Sequence, residues 1–125
     1  MTNIPVKDLQ NYINENKKLC YIDVRTPAEF ESEHIEKFRN IPLDQLGVFE
    51  KELSEHHTIV FSCRSGNRSA IAAKQMAGKT KTVLNVEGGL TAWRNAGFPT
   101  IKGSNSVLSV IKQVVYEISY LSSLD

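Results

Sequence analysis

Thr58-Ile59-Val60-Phe61-Ser62 runs without a break into Cys63-Arg64-Ser65-Gly66-Asn67-Arg68, and Ser69-Ala70-Ile71-Ala72-Ala73-Lys74-Gln75-Met76-Ala77 follows. The first five residues are β-branched and aromatic, which predicts a buried strand. The last nine are rich in alanine and stopped by Gly78, which predicts a helix over 69–77. A strand that turns into a helix within a few residues is the unit of an α/β fold. In open sheets of that kind ligands sit beyond the carboxyl ends of the strands, often at a following helix N-terminus. Cys63 stands at that place.

The pattern repeats on both sides. Val6, Leu9, Tyr12 and Ile13 recur at helical spacing, predicting a helix over about 5–15. Leu19-Cys20-Tyr21-Ile22-Asp23-Val24 reads as a second buried strand. Thr26-Pro27-Ala28-Glu29 has a cap residue, a proline at the first helical position and an early acid, so it starts a helix. That helix is expected to carry Phe30 and Ile35 inward and Glu29, Glu31, Glu33 and Glu36 outward on a solvated face. Residues 39–43 read as a brief extended piece and 43–54 as short helical turns. Thr82-Val83-Leu84-Asn85-Val86 is a further strand, turned by Glu87-Gly88-Gly89 into a helix over about 90–96. Strands alternating with helices predict an α/β fold with a mainly parallel, buried sheet.

Length and composition agree with one such domain. The chain has 125 residues, 41% hydrophobic and 23% charged, with a formal net charge of +1. These values exclude wholesale disorder and give no field that advertises nucleic acid. The two cysteines, Cys20 and Cys63, cannot form a disulfide framework and fit a reducing compartment. There is no charged-then-apolar leader and no run of eighteen apolar residues, so a soluble cytoplasmic domain is expected.

The loop after the central strand favours an ionised thiol. Gly66 lets the backbone curl so that consecutive N–H groups point inward. A helix starting near Ser69 adds its positive dipole end, and Arg64 and Arg68 add full charges. Such settings lower a thiol pKa from about 8.5 towards roughly 3.5–7.5, and the same cradle binds an anion. The plain alternative, a small core thiol beside solvated arginines, does not explain why glycine, two arginines and a helix start coincide there. Ser69 is expected to cap the helix.

At this point the sequence resembles the single-domain rhodanese-like sulfurtransferases. The resemblance rests on Asp23-Val24-Arg25-Thr26-Pro27-Ala28-Glu29-Phe30, on His34-Ile35 with Asn40-Ile41-Pro42-Leu43, on Cys63 to Ser69, and on Val86-Glu87-Gly88-Gly89-Leu90-Thr91-Ala92-Trp93 with Gly97-Phe98-Pro99. It covers about residues 4–100. It implies a three-layer fold with a central sheet flanked by helices. It also implies a ping-pong transfer of sulfane sulfur from thiosulfate or a persulfide, through a persulfide on Cys63, to cyanide or a thiol. Cys63 is the implied nucleophile. Arg64 and Arg68 are the expected anion-binding residues, with the loop from Ser65 through Gly66 and Asn67 to Ser69 holding the persulfide. No cofactor or metal is expected. A partner-specific sulfur-relay module is the second reading, with a protein as sulfur acceptor. Cysteine-dependent phosphatases and arsenate reductases are disfavoured, because phosphatases use Cys-x5-Arg and here four residues separate Cys63 from Arg68. Two departures stand out: Glu33 where the family usually has glycine, and Lys37-Phe38 where it has a Gly-Ala pair.

The remaining reactive residues read as structural. Asp23 and Arg25 are expected to link loops by hydrogen bonds, and His34 to be a buried, bonded histidine. His56-His57 reads as a surface turn, Trp93 as a core anchor, and Cys20 as core with a resolving thiol as its sharper alternative. The domain is set at 1–103. Residues 104–125 form a separate extension in which Val107, Val110, Ile111, Val114, Ile118 and Leu121 follow helical spacing. Their polar face lacks a basic row, which disfavours a membrane surface and leaves packing back on the domain or a homodimer.

Overall fold

Burial alternates along the middle strand: Ile59, Phe61 and Cys63 pack on one face of the sheet and Val60 on the other. A strand that is apolar on both faces needs a layer of helices on each, and that requirement sets the architecture. The computed structural model describes residues 1–103. The predicted helix over 107–121 and the extension 104–125 lie outside the described residues.

The elements in order are β1 (Thr2–Ile4), α1 (Val6–Asn14), β2 (Cys20–Asp23), α2 (Pro27–Ser32), β3 (Arg39–Asn40), a 3-10 turn (Leu43–Gln45), α3 (Leu46–Ser54), β4 (Thr58–Ser62), α4 (Asn67–Met76), β5 (Thr82–Val86) and α5 (Gly89–Asn95). The five strands form one sheet in the order β1-β5-β4-β2-β3. Every pairing is parallel. The α/β class, the parallel sheet and its flanking helices agree with the sequence reading.

The two helical layers bury separate cores. Leu46 and Leu53 of α3 and Ala72, Ala73 and Met76 of α4 close over Ile22, Ile59, Phe61 and Val83. Leu9 of α1, Phe30 of α2, and Leu90 and Trp93 of α5 close over Tyr21, Val60, Leu84 and Val86. The alanines let α4 lie close to the sheet, which holds its first turn near the end of β4.

Four local expectations are corrected. The strand β1 is absent from the sequence reading, because three residues carry no periodicity and become a strand only by pairing Thr2, Asn3 and Ile4 with Leu84, Asn85 and Val86. Residues 46–54 form a full helix rather than isolated turns. Helix α4 starts at Asn67, two residues before Ser69, because Gly66 takes a left-handed conformation (φ 103°) and makes the turn itself. Helix α2 ends at Ser32, short of Ile35, because Glu33 is already extended. His34 then forms an antiparallel bridge with Ile101.

The Lys37 departure has a backbone consequence. Lys37 has φ 79°, a conformation that costs a residue with a Cβ about 1–2 kcal/mol. Its ammonium donates to the Asn16 side chain at 2.9 Å, an exposed contact of small worth. Lys37→Gly is therefore expected to raise stability by about 1 kcal/mol, read as an upward shift of the urea midpoint at unchanged slope. An unchanged or lower midpoint would contradict the strain.

Candidate active site

Three elements converge on Cys63. The end of β4 delivers the residue, the first turn of α4 surrounds its sulfur, and α5 backs its main chain. Gly66 N–H donates to Cys63 Sγ at 3.1 Å, and the Ser69 hydroxyl donates to it at 3.3 Å. Ser69 thus does not cap α4; it lies inside the first turn, fully buried, and turns its hydroxyl onto the sulfur. On the far side, Leu90 N–H donates to Cys63 O and Thr91 N–H to Arg64 O. That docking requires Gly89, because a Cβ there would stand 2.4 Å from the Cys63 carbonyl oxygen.

These contacts set the charge state of the sulfur. Burial acts to raise the Cys63 pKa, for the side chain is only 1% exposed. Hydrogen bonds from the Ser69 hydroxyl and from the N–H groups of Ser69, Gly66 and Ser65 outweigh it, and the thiol falls below its ordinary value. Cys20 behaves oppositely: burial pushes its pKa up to about 11. It pairs with Ile59, four residues before Cys63 on the neighbouring strand, so the two lie at least about 13 Å apart. A disulfide needs Cα atoms within about 7 Å, so Cys20 is not in place to resolve an oxidised Cys63.

Ser69→Ala removes the strongest of the donors. The Cys63 thiol is then expected to titrate at higher pH, and its alkylation near neutral pH to slow about tenfold, since a hydrogen bond to an ionised group is worth about 1.5–3 kcal/mol. Alkylation rates against pH check this, and an unmoved profile would assign the shift to the amides alone.

The other loop residues are dispersed. Ser65 exposes its side chain and offers its N–H, and Asn67 opens α4 with its side chain in solvent. Arg64 is exposed and makes no side-chain ion pair among the described residues. Arg68 points at α2: its two terminal nitrogens donate to the two carboxylate oxygens of Glu29 at 2.7 and 3.0 Å. Arg68 lowers the Glu29 pKa to about 2, so the pair is present at neutral pH and is lost only as pH falls below 4.5 towards that value.

Beside the loop lies a half-open cavity of about 490 Å³. Arg64 lines it, together with Arg25, Glu29, Ser32 and Glu33 from the α2 side and Leu90, Thr91, Arg94 and Asn95 from α5. Most of its charges are already matched. Arg94 pairs with Glu33 at 3.0 Å, and Thr100 donates to the same carboxylate. Arg25 binds both oxygens of Asp23 and donates to the carbonyls of Glu29 and Glu33. Asn40 ties the Asp23 and Arg25 carbonyls together. Arg25 thus holds the end of α2 in place, and Asp23 and Arg25 link loops as the sequence suggested. Arg64 remains as the unmatched cation of the cavity.

Glu29 and Glu33 were placed on a solvated helix face, and the structure turns both towards the cavity. The signal for Glu29 lay one residue away: Phe30 is buried, so its neighbour borders the core. Glu29 also completes a capping box with Thr26. His34 is buried as expected, stacked on Phe30 with Nδ1 2.8 Å from the Phe30 carbonyl oxygen. Trp93 anchors α5 and donates to the Pro99 carbonyl. His56 and His57 are exposed, as a surface turn requires. No cluster of three or more potential metal-ligating side chains occurs among the described residues, and none of their helices is long and apolar enough to cross a membrane.

A parallel α/β sheet whose central strand ends in a buried cysteine with a lowered pKa, its sulfur accepting from the first turn of the next helix, is the frame into which the comparisons fit. The chain belongs to the rhodanese-like domain family, whose model matches residues 5–96. It is 36% identical over 116 residues to the Synechocystis protein slr1261, covering 90% of this chain and 64% of that protein. It therefore spans less than two thirds of that relative's length. It is 30% identical over 99 residues to a protein of Allochromatium vinosum named sulfurtransferase, covering 78% of this chain and 92% of that one. Among solved structures, a rhodanese-related protein from Thermoplasma volcanium superposes with a TM-score of 0.71 at 31% identity, covering 81% of this chain and 98% of that one.

Proposed function

We propose that the protein is a sulfurtransferase whose Cys63 carries the sulfur as a persulfide. The observation that carries this reading is the Cys63 sulfur, buried yet accepting from donors that lower its pKa below the ordinary thiol value. The thiolate attacks the outer sulfur of thiosulfate, the S–S bond breaks, and sulfite leaves with the electron pair. The product, Cys63–S–S⁻, is an anion that the same N–H groups stabilise. Cyanide or a thiolate then attacks the outer sulfur and restores the Cys63 thiolate, leaving thiocyanate or a new persulfide.

Arg64 meets the incoming anion, because its charge has no partner in the cavity. The amides from Ser65 to Ser69 hold the persulfide. Arg68 reaches a substrate only by leaving Glu29. Cys20 is too distant to take the sulfur, so the acceptor comes from outside the domain, as a small thiol, cyanide or a protein. The name of the Allochromatium relative supports the sulfur-transfer class.

The test is mass spectrometry of the protein after incubation with thiosulfate, with a persulfide, or with neither. A gain of one sulfur on the Cys63 peptide is expected, discharged by cyanide or a thiol. No gain with any donor would refute the carrier role. A gain from a persulfide but not from thiosulfate would favour the relay reading.

A further inference from the structure

One ion pair bridges the two walls of the cavity beside the Cys63 loop. Glu33 follows α2, Arg94 belongs to α5, both line the cavity, and their side chains meet at 3.0 Å. We propose that Glu33 is a specificity-determining residue of this cavity: by holding Arg94 it leaves Arg64 as the cation free for a ligand, so the cavity attracts one anionic group at the loop and none at the α5 wall. A compact anion such as thiosulfate needs no more. A thiol or persulfide that carries a further carboxylate gains nothing from it. This rests on the sulfur-transfer reading above.

The cavity shares its wall with the reactive loop. Leu90 and Thr91 line it, and their N–H groups donate to the carbonyls of Cys63 and Arg64 at 2.9 and 3.0 Å. At about 490 Å³ it is in the range that takes whole small-molecule ligands. Three arginines and two glutamates stand on its walls. Arg25 is matched by Asp23 and Glu29 by Arg68, and neither partner lines the cavity. Glu33 and Arg94 match each other inside it. The balance is one positive charge, and Arg64 carries it, without an ion-pair partner among the described residues.

Glu33 is the fixed member of the pair. Its carbonyl accepts from the Arg25 guanidinium at 2.8 Å, and its second carboxylate oxygen accepts from the Thr100 hydroxyl at 2.8 Å. Its side chain is 25% exposed, against 62% for that of Arg94. The departure from glycine at this position has no backbone cause, because Glu33 is extended (φ −170°), a conformation open to any residue. What Glu33 adds over glycine is a carboxylate, and the carboxylate engages Arg94 and Thr100.

Substitutions on the two sides of the pair therefore act oppositely. Glu33→Gln keeps an acceptor for Thr100 but leaves Arg94 unneutralised, so the α5 wall gains a second free cation. Glu33→Gly does the same with no side chain. Arg94→Gln leaves the Glu33 carboxylate unmatched and turns anions away. Combining Glu33→Gln with Arg94→Gln restores the original balance.

The probe is S-methylglutathione, a thioether with two carboxylates that cannot transfer sulfur, set against its diethyl ester, which has none. Binding of each to the full chain is measured by calorimetry in low and in 1 M salt, with thermal unfolding as a check on folding. Both Glu33 variants are expected to bind the acid about three- to fivefold more tightly than the parent, with the ester unchanged. Arg94→Gln binds the acid more weakly, and the double variant returns to the parent's affinity. The gain shrinks at 1 M salt, where screening acts within about 3 Å. No binding in any variant, an equal gain for acid and ester, or a gain that survives in the double variant would overturn the proposal. Should Glu33→Gln fail to fold, Glu33→Gly carries the same test. The measurement needs no sulfur transfer, so the two readings fail separately. Shifts in binding without a sulfur gain on Cys63 would refute the transfer, and a sulfur gain without those shifts would refute the role of Glu33.

Discussion

Cys63→Ser is expected to reduce sulfur transfer to the uncatalysed background, while Cys20→Ser retains nearly all of it. Serine keeps the size and the donors of the site, so the fold is unaffected. Its hydroxyl is not ionised at neutral pH, and no S–S bond can form at oxygen. A loss greater than about a thousandfold in kcat/KM follows from the proposed mechanism, in which every transfer passes through that one sulfur. Cys20 lies on β2 at the far end of the strand from the loop, with its pKa pushed up to about 11 by burial. Equal losses in both variants would show that two thiols share the chemistry and would overturn the single-carrier account.

Arg25→Met is expected to give the largest loss of stability. Arg25 and Asp23 are almost fully buried, with side-chain exposures of 3% and 6%. Replacing the arginine leaves a buried carboxylate without its partner, which costs about 3–5 kcal/mol. It also strips the Glu29 and Glu33 carbonyls of their donor at the end of α2. Domains of this size are stable by about 5–15 kcal/mol, so the urea midpoint should fall by roughly a fifth or more. A loss below about 1 kcal/mol would mean that water or a local shift satisfies Asp23.

The central part of the fold was legible because its signals are local. A β-branched run, a glycine and an alanine-rich helix place Cys63 at a strand end without any knowledge of the rest. The lowered pKa of the sulfur was legible in direction and in part of its cause: the inward N–H groups of the curled loop were expected, whereas the Ser69 hydroxyl, the first of the lowering contributions, was not, and the two arginines are not among those contributions. Those depend on where α4 begins, and the left-handed Gly66 moved that start by two residues. Glu29 and Glu33 were misread because a short helix does not reveal which edge of its polar face meets another layer. Their partners, Arg68 and Arg94, come from α4 and α5, some 39 and 61 positions further along the chain. The early end of α2 has the same origin: the Arg25 guanidinium takes carbonyls that a longer helix would have used itself. Lys37 shows the converse. The sequence marked it as a departure, and its φ of 79° says why glycine suits that position.

The backing of the Cys63 main chain by Leu90 and Thr91 has a consequence for biosynthesis. The ribosome releases the reactive cysteine well before the two amides that complete its surroundings, and β1, made first, finds its neighbour only when β5 follows about eighty residues later. Until then the nascent chain presents an unfinished loop, in which the donors that lower the thiol pKa are not yet held together. Those hydrogen bonds thus form in the same step that buries the sulfur.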